Sequence, residues 1–359
     1  MEFGPDENQR LFDAALRGFL ADRVTVDSRR AAAETGGDAA LWRGLCGLGL
    51  AGLLVPEEHG GTGLGVFDAA LAAEALGHAA APTPFLGTAV LAPLALRLLG
   101  AKAQRDAWLP RLAGGEIRVA AAFGALAGTT GRCALRLEHG RLSGEVAGAL
   151  EAAEATHALV ALPREGMALV ALDAAGVTVR PRRSVDRLRP LADLSFAAVP
   201  VEVLAGGDAG RVLDAGRVVL AAETLGAAQA MLGKAVAYAG ERRQFGRAIG
   251  SFQAVKHACA EMAAALEPCR AFVWYAAHAQ DRAEEEPEAR MLAAHAKAHL
   301  DEVGREVARG ATEVHGGMGF TELLGLPFWF KRILANRQLL GGPERCREEA
   351  AIAQGIAAA

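Results

Sequence analysis

Apolar residues near the start of the chain recur every three or four positions, which places them on one face of a helix. The repeat opens with Leu11, Phe12, Ala15, Leu16 and Phe19. Similar spacing predicts helices over most of residues 8–115, interrupted by a loop at 53–65 that contains a proline and several glycines. The N-terminal third is therefore predicted to be helical.

From about residue 118 to 203 the pattern changes to short apolar runs separated by Gly, Pro and charged residues. Such runs are typical of strands, and His139-Gly140 and Glu165-Gly166 are expected hairpin tips. Helical spacing returns after Gly206-Gly207. The helices predicted there are Ala215–Ala239, Phe252–Ala283, Glu288–Thr312 and Pro327–Leu340.

This order of elements predicts a mainly α fold with a small β domain. The expected domains are an N-terminal helical domain at 1–117, a middle β domain at 118–205 and a C-terminal helical bundle at 206–359. A chain of 359 residues buries enough apolar surface to fold without disulfides or a structural metal.

Composition narrows the class of protein. Hydrophobic residues make up 52% and charged residues 22%, which is typical of a folded chain. The net charge of −4 gives no basic excess for nucleic acid or an anionic membrane. The five cysteines form no CxxC pair, and the first residues are acidic and polar. We therefore expect a cytoplasmic protein with free thiols, no metal site, no signal peptide and no membrane span.

Several short motifs fail the tests for familiar chemistry. The glycines at 60–65 lack the GxGxxG spacing and a surrounding βαβ unit. His295 and His299 have the i, i+4 spacing of metal ligands, but no third ligand is evident. The residues around Ser143 do not match GxSxG. A dinucleotide fold, a metal centre and a serine hydrolase are thus not indicated.

Two segments remain as candidate sites. ERRQFGRAIGSFQAVKHACAEM at 241–262 places arginines, amides and phenyl rings around two glycines, so guanidinium and backbone N–H groups could meet a phosphate. TEVHGGMGF at 312–320 contains Gly316-Gly317, which permits a ligand to approach the backbone closely. By these residues alone, both segments could equally be turns that join helices.

Together the two segments resemble the acyl-CoA dehydrogenase flavoprotein family. The likeness continues through LWRGLCGLGLAGLLVPEEHGGTGLGVFDAALAAEALG at 41–77 and WLPRLAGGEIRVAAAF at 108–123, so it covers nearly the whole chain. The resemblance implies an N-terminal helical domain, a β-barrel-like middle domain and a C-terminal four-helix bundle. It also implies FAD bound between subunits and oxidation of an acyl thioester between Cα and Cβ.

In that family a carboxylate removes the α-proton while the β-hydrogen leaves as hydride to the flavin. A backbone N–H and a flavin ribityl hydroxyl stabilise the enolate that develops. The resemblance further implies an acyl-CoA or acyl-carrier-protein substrate, an electron-transfer flavoprotein-like acceptor and a role in lipid metabolism. The implied assembly is a homo-tetramer, or a hetero-tetramer with a homologous chain.

Site residues are assigned by the same resemblance, position by position. The implied cofactor contacts are Arg242, Gln244, Phe245, Ile249, Phe252, Gln253, Glu313, Gly316 and Gly317. Phe252 stands where relatives often have histidine, and Glu313 where they usually have glutamine. A carboxylate at 313 would repel a pyrophosphate. The implied substrate contacts are Asp214, Arg217 and Gly342.

The chain departs from the family at the reacting groups. The two positions where relatives carry the catalytic carboxylate correspond to Gly341 and Gly216. Glu223 is the carboxylate that follows on the same predicted helix, two turns beyond Gly216. The stretch at 121–132 lacks the flavin-side motif of relatives, and no tryptophan occurs between 109 and 273 to cover a flavin.

Three hypotheses follow from these departures. The chain is an active dehydrogenase whose base lies elsewhere, such as at Glu223. Alternatively, it is a subunit without a base in a hetero-oligomer whose partner supplies the carboxylate. In the third hypothesis it is a non-catalytic protein that binds acyl thioesters or has a structural role. The sequence leaves the acyl group open.

Overall fold

The computed structural model describes residues 4–128, 133–152, 154–162, 166–282 and 286–357. The chain divides into two compact units, each discontinuous in sequence. The first comprises residues 1–30, 70–81 and 220–359, and the second comprises 31–69 and 82–219. Both are described separately below. The predicted fold class, mainly helical with a small β region, is confirmed, whereas the three-domain division stays a prediction.

Twelve α-helices are described. They are α1 Glu7–Arg23, α2 Val26–Thr35, α3 Ala39–Gly47, α4 Val66–Ala79, α5 Ala92–Leu99, α6 Lys102–Ala113, α7 Gly124–Ala127, α8 Ala209–Glu241, α9 Gln253–Asp281, α10 Glu286–His315, α11 Leu326–Asn336 and α12 Pro343–Ala353. Local chemistry sets the start of α1, because Asp6 and Gln9 each accept a hydrogen bond from the other's backbone N–H. No helix in the described part of the chain has the length and apolar character needed to cross a membrane.

Ten strands are described. They are β1 Val119–Ala122, β2 Cys133–Glu138, β3 Arg141–Leu150, β4 His157–Ala161, β5 Met167–Ala171, β6 Val177–Arg182, β7 Leu191–Pro200, β8 Glu202–Leu204, β9 Arg243–Gln244 and β10 Arg247–Ala248. The first eight form one sheet in the order β6-β7-β3-β1-β4-β5-β8, with β2 also on β3. Its pairs are antiparallel except for β1 with β4.

The hairpin tip predicted at His139-Gly140 is confirmed, since Glu138 pairs with Arg141 across it. In the other predicted tip, Glu165-Gly166, Glu165 lies outside the described residues. The flanking strands β4 and β5 pair in antiparallel fashion, as the strands of a hairpin do. In the stretch at 121–132, residues 129–132 also lie outside the described part.

The second unit also contains a buried link between its sheet and the π-helical turn Leu86–Leu91. The Gly87 N–H donates to Glu151 Oε2 at 2.8 Å, and the Val119 N–H donates to the Thr88 hydroxyl at 2.9 Å. Arg189 Nε lies 3.7 Å from Glu151 Oε1. The buried Glu151 carboxylate thus has a backbone donor at Oε2 and a cation near Oε1, which offset part of the cost of burying its charge.

In the first unit, α4 crosses α8 at two glycines. A Cβ on Gly77 would overlap the Glu223 carbonyl, and one on Gly226 would overlap the Glu74 carbonyl. Glycine is therefore needed at both positions for the two backbones to approach so closely. This close crossing fixes the part of α8 that carries Glu223.

The C-terminal end differs from the prediction. The helix expected over 327–340 ends at Asn336, and α12 follows it. Leu340 and Gly341 have φ of +54° and +98°, which a right-handed helix cannot contain. Pro343 then starts α12 at a position where its missing N–H costs nothing. The resulting loop, residues 337–342, separates the two helices.

Candidate functional site

A two-residue turn closes the hairpin of β9 and β10 just beyond α8. Phe245 and Gly246 both have positive φ, +51° and +75°, as a type I′ turn requires. A bulky aromatic residue is rarely found in this conformation. The Phe245 side chain is nevertheless 92% exposed. The hairpin therefore holds an aromatic ring out from the surface at a cost in backbone strain.

Two neighbouring side chains support this ring. Phe252 meets Phe245 edge to face, with ring centroids 6.1 Å apart. The guanidinium carbon of Arg247 lies 4.0 Å from the centroid of the Phe252 ring. Each contact of this kind contributes about 0.5–1.5 kcal/mol. Phenylalanine at 252 thus helps to order the hairpin.

The second predicted segment forms a 3₁₀ turn at the end of α10, Gly316–Phe320. Added Cβ atoms on Gly316 and Gly317 would meet nothing within 4 Å. Phe320 is 78% exposed. Open space beside backbone amides, next to an exposed ring, is what a flat or phosphate-bearing ligand would use.

A stacked pair of rings brings the two segments together. Tyr238, near the end of α8, stacks on His315 with centroids 4.6 Å apart and an interplanar angle of 23°. His315 immediately precedes the glycine turn, and the Arg242 N–H donates to the Tyr238 carbonyl. The hairpin and the glycine turn therefore lie at the same end of the first unit.

All nine residues predicted to contact FAD lie on, or directly beside, these two segments. Arg242 and Gln244 are exposed donors on the hairpin side, and Gln253 is exposed at the start of α9. Ile249 is half-buried between them. Guanidinium groups, exposed rings and uncrowded glycines fit a flavin dinucleotide, which needs phosphate donors and flat apolar contacts. The exposed carboxylate of Glu313 is the member that fits an anion poorly.

The residues predicted to contact substrate on α8 are deeply buried. Arg217 Nη1 lies 3.4 Å from Asp214 Oδ1, and the two side chains are 1% and 5% exposed. Gly216 lies directly before Arg217 and is also buried. In the second unit, Asp214 and Arg217 are thus a buried ion pair on one turn of helix.

Glu223 belongs to a different buried network. Its Oε1 accepts from Arg332 Nη1 at 2.7 Å, and its Oε2 accepts from Asn336 Nδ2 at 3.0 Å. Asn336 also donates to the Thr224 hydroxyl at 3.2 Å. Arg332 is almost fully buried and also donates to the Ala81 carbonyl. These contacts link α8 to α11 and give each carboxylate oxygen of Glu223 a partner. A catalytic base needs an oxygen that reaches substrate, so the contacts indicate a structural role for Glu223.

The loop at 337–342 contains both Gly341 and Gly342. Gly341 is buried and Gly342 half-buried. Beneath it on α10, Lys297 Nζ lies 2.5 Å from Asp301 Oδ2 and 3.5 Å from the Gly341 carbonyl oxygen. The Cys346 thiol donates to the same carbonyl at 3.6 Å. A buried ion pair therefore lies directly behind Gly341, where the resemblance predicts the base of relatives.

Sequence reasoning missed Lys297 and Asp301. Burial raises the pKa of the Asp301 carboxyl to about 6, and Lys297 only partly opposes that rise. The available signal was a lysine and an aspartate at i, i+4 among the apolar positions of α10. That spacing alone is common on solvated helix faces, so only the structure shows that the Lys297 and Asp301 side chains are buried.

A cavity of about 850 Å³ opens elsewhere in the first unit, among α1, α4, α8 and α9. The buried Glu74 lies in its wall, with Arg17 and Arg270 at 3.7 Å and 3.6 Å from Oε1. Burial raises the pKa of Glu74, and the two arginines oppose that rise. Three carboxylates in the wall, Asp13, Glu74 and Glu267, balance three arginines, Arg10, Arg17 and Arg270, so the cavity favours no charged ligand.

Comparison with known proteins identifies the family. Residues 6–116 match the model described as acyl-CoA dehydrogenase, N-terminal domain, and residues 207–354 match acyl-CoA dehydrogenase, C-terminal domain. The acyl-CoA dehydrogenase IpdE2 of Mycolicibacterium smegmatis is 32% identical over 340 residues, covering 94% of this chain and 96% of the relative.

Solved structures agree with the sequence matches. A chain of the structure titled Tcur3481-Tcur3483 steroid ACAD G363A variant superimposes with a TM-score of 0.88 at 30% identity, covering 97% of this chain and 98% of that one. A chain of the ChsE4-ChsE5 complex from Mycobacterium tuberculosis gives 0.89 at 27% identity and covers 100% of both. The chain therefore belongs to the acyl-CoA dehydrogenase family of flavin-dependent oxidoreductases.

Proposed function

We propose that this chain is the subunit without a base in a hetero-tetrameric, FAD-dependent acyl-CoA dehydrogenase, and that a homologous partner chain supplies the catalytic carboxylate. The observation that carries the proposal is the contrast between its two sites. The residues predicted to contact a flavin dinucleotide lie close together and are mostly exposed, whereas glycines, Gly216 and Gly341, occupy the two positions where the resemblance predicts the carboxylate. Glu223 is held by Arg332 and Asn336.

The hairpin and the glycine turn would hold FAD at the boundary with the partner. Arg242 and Gln244 offer donors to its polar groups, and Phe245 offers a ring face or edge. Gly316 and Gly317 leave room for its adenosine half. FAD, when bound, supplies the hydride acceptor. The high exposure of Phe245 is explained if a ligand and a second chain cover it in the assembly.

The thioester would lie against the loop at 337–342 in the first unit. The Gly342 N–H is a donor for its carbonyl. In the second unit, the buried Asp214 and Arg217 stay predicted substrate contacts. The electron acceptor is an electron-transfer flavoprotein-like protein, and the compartment is the cytoplasm. The neighbours whose titles name two chains or a steroid support a two-chain assembly and place ring-bearing acyl groups among the substrates to test.

Assembly is the direct test of this proposal. The chain is purified alone and after co-expression with homologous chains that carry a glutamate before the last helix. We expect a mixed tetramer that retains FAD, while the chain alone retains little. Phe245→Ala should lower the FAD content of the mixed tetramer, and Val185→Ala, another exposed apolar residue, should not. A homo-tetramer saturated with FAD and active by itself would contradict the proposal.

A further inference from the structure

Lys297 and Asp301 are the most deeply buried ion pair facing a predicted site residue. Their side chains are 0% and 1% exposed, with Nζ and Oδ2 2.5 Å apart. Asp301 Oδ1 has no hydrogen-bond partner among the residues that the structure describes. Burial of two charges in this way is costly, and apolar residues of similar size usually serve stability as well or better. The pair therefore calls for a role other than stability.

The pair acts on one backbone group of the loop. Lys297 Nζ lies 3.5 Å from the Gly341 carbonyl oxygen, a long contact in which the ammonium attracts the carbonyl dipole. Cys346 Sγ, 3.6 Å from the same oxygen, adds a weak donor. The Gly341 carbonyl is thus directed toward α10, into the interior of the first unit.

The loop backbone around this carbonyl is strained. Leu340 has φ of +54° and is buried, although leucine strongly disfavours this region. Gly341 has φ of +98°. Such conformations persist where the surroundings over-determine them, and they cluster at functional sites. The contacts from Lys297 and Cys346 are the surroundings that hold the Gly341 peptide.

The direction of that peptide fixes a donor on the other side. No peptide bond in the described chain is cis, so the Gly342 N–H points opposite to the Gly341 carbonyl. It therefore points away from Lys297. Gly342 is half-buried, and its N–H makes no hydrogen bond with any described residue. The loop thus offers one fixed backbone donor directly after Gly341, where the resemblance predicts the base of relatives.

We propose that Lys297 and Asp301 are positioning residues, which hold the Gly341 carbonyl inward so that the Gly342 N–H is aimed at a thioester carbonyl. Asp301 holds Lys297 in place, and Lys297 orients the peptide. The chain then stabilises the enolate oxygen while another chain removes the proton. This inference rests on the proposed function, because it takes the ligand to be a CoA thioester.

The test compares two ligands that differ at the thioester carbonyl. Acetyl-CoA has that carbonyl, and S-ethyl-CoA, a thioether of similar size, lacks it. Their affinities are measured by calorimetry on the FAD-loaded oligomer as purified. Wild type should prefer acetyl-CoA by about tenfold, the value of one well-aligned hydrogen bond. Lys297→Met/Asp301→Leu should reduce that preference below about twofold.

Two further variants separate positioning from folding. Lys102→Met/Asp106→Leu removes another i, i+4 pair, 2.6 Å apart but exposed, and should leave the preference unchanged. Asp301→Asn keeps an oxygen for Lys297 and should retain most of the preference. If the Lys297/Asp301 double variant keeps the full tenfold preference, the positioning role is refuted while the proposed function stands. If wild type binds neither ligand, the proposed function fails and this inference fails with it.

Discussion

Substitution of Glu223 distinguishes most clearly between a structural and a catalytic role for this carboxylate. Glu223→Gln removes the charge that lies 2.7 Å from the guanidinium of Arg332, whose side chain is 1% exposed. Removal of one partner from a buried pair costs about 3–5 kcal/mol. With an unfolding entropy of about 2.1 cal/mol/K per residue, a chain of 359 residues gives about 0.75 kcal/mol/K. The expected fall in Tm is therefore about 4–7 °C.

The assay is thermal unfolding of the FAD-loaded oligomer, paired with its rate of flavin reduction per bound FAD. Glu223→Gln should lower Tm by that amount and leave the rate per bound FAD unchanged. Glu344→Gln is the control, because Glu344 also faces an arginine, Arg337, but is 74% exposed. It should shift Tm by less than about 1 °C, since exposed pairs contribute little. A Glu223→Gln protein with the Tm of wild type and no flavin reduction would refute the structural assignment and identify Glu223 as the base.

Three further predictions concern charge at the two sites. Gly341→Glu should lower stability by about 1–2 kcal/mol, because φ of +98° disfavours any side chain, yet it should raise the rate of α-proton exchange of a bound acyl-CoA. Asp301→Asn should change the pH dependence of unfolding: the stability of wild type minus that of the variant should fall by about 2 kcal/mol between pH 4 and pH 7. Glu313→Gln should tighten FAD binding about two- to fivefold at low salt, with the gain vanishing at high salt.

Each of the three has its own control. Gly341→Gln carries the same backbone strain without a carboxylate, so equal exchange in both variants would show that the loop does not face the α-carbon. For Asp301, the pKa is about 6 when folded and 3.8 when unfolded, so the stability it contributes is present below about pH 4 and lost as pH rises through 6. Lys297, Arg337 and Glu302 are the charges that act on it. If urea unfolding shows that the stability difference between wild type and Asp301→Asn does not change with pH, the raised pKa of Asp301 is contradicted. For Glu313, the control is Glu306→Gln, because Glu306 is also exposed. A gain in FAD affinity that does not depend on salt would exclude repulsion between Glu313 and the pyrophosphate as its cause.

Much of the fold could be predicted because its signals are local. Helical spacing, glycine and proline breaks and the strand-like middle of the chain each follow from neighbouring residues. The family motifs then predicted which two segments contact the flavin. What the sequence could not supply was their convergence, which depends on the Tyr238–His315 stack between helices far apart in the chain.

The remaining errors and omissions have physical causes. The last predicted helix was extended past Asn336 because leucines continue the apolar pattern, whereas the left-handed Leu340 and Gly341 break it. The pairing of Glu223 with Arg332 and the burial of Lys297 depend on tertiary packing, for which residue type is a poor guide. A charged residue on an amphipathic helix is usually solvated, so only the structure distinguishes a buried pair.

The central claim is that this chain binds flavin and thioester but does not remove the α-proton by itself. Anaerobic titration with a panel of straight-chain and ring-bearing acyl-CoAs tests it most directly, with flavin absorbance followed for the FAD-reconstituted chain alone and for its complex with a homologous partner. We predict that the flavin of the complex is reduced by at least one acyl-CoA and that the FAD added to the chain alone is not. Full bleaching of the flavin in the chain alone would contradict the account.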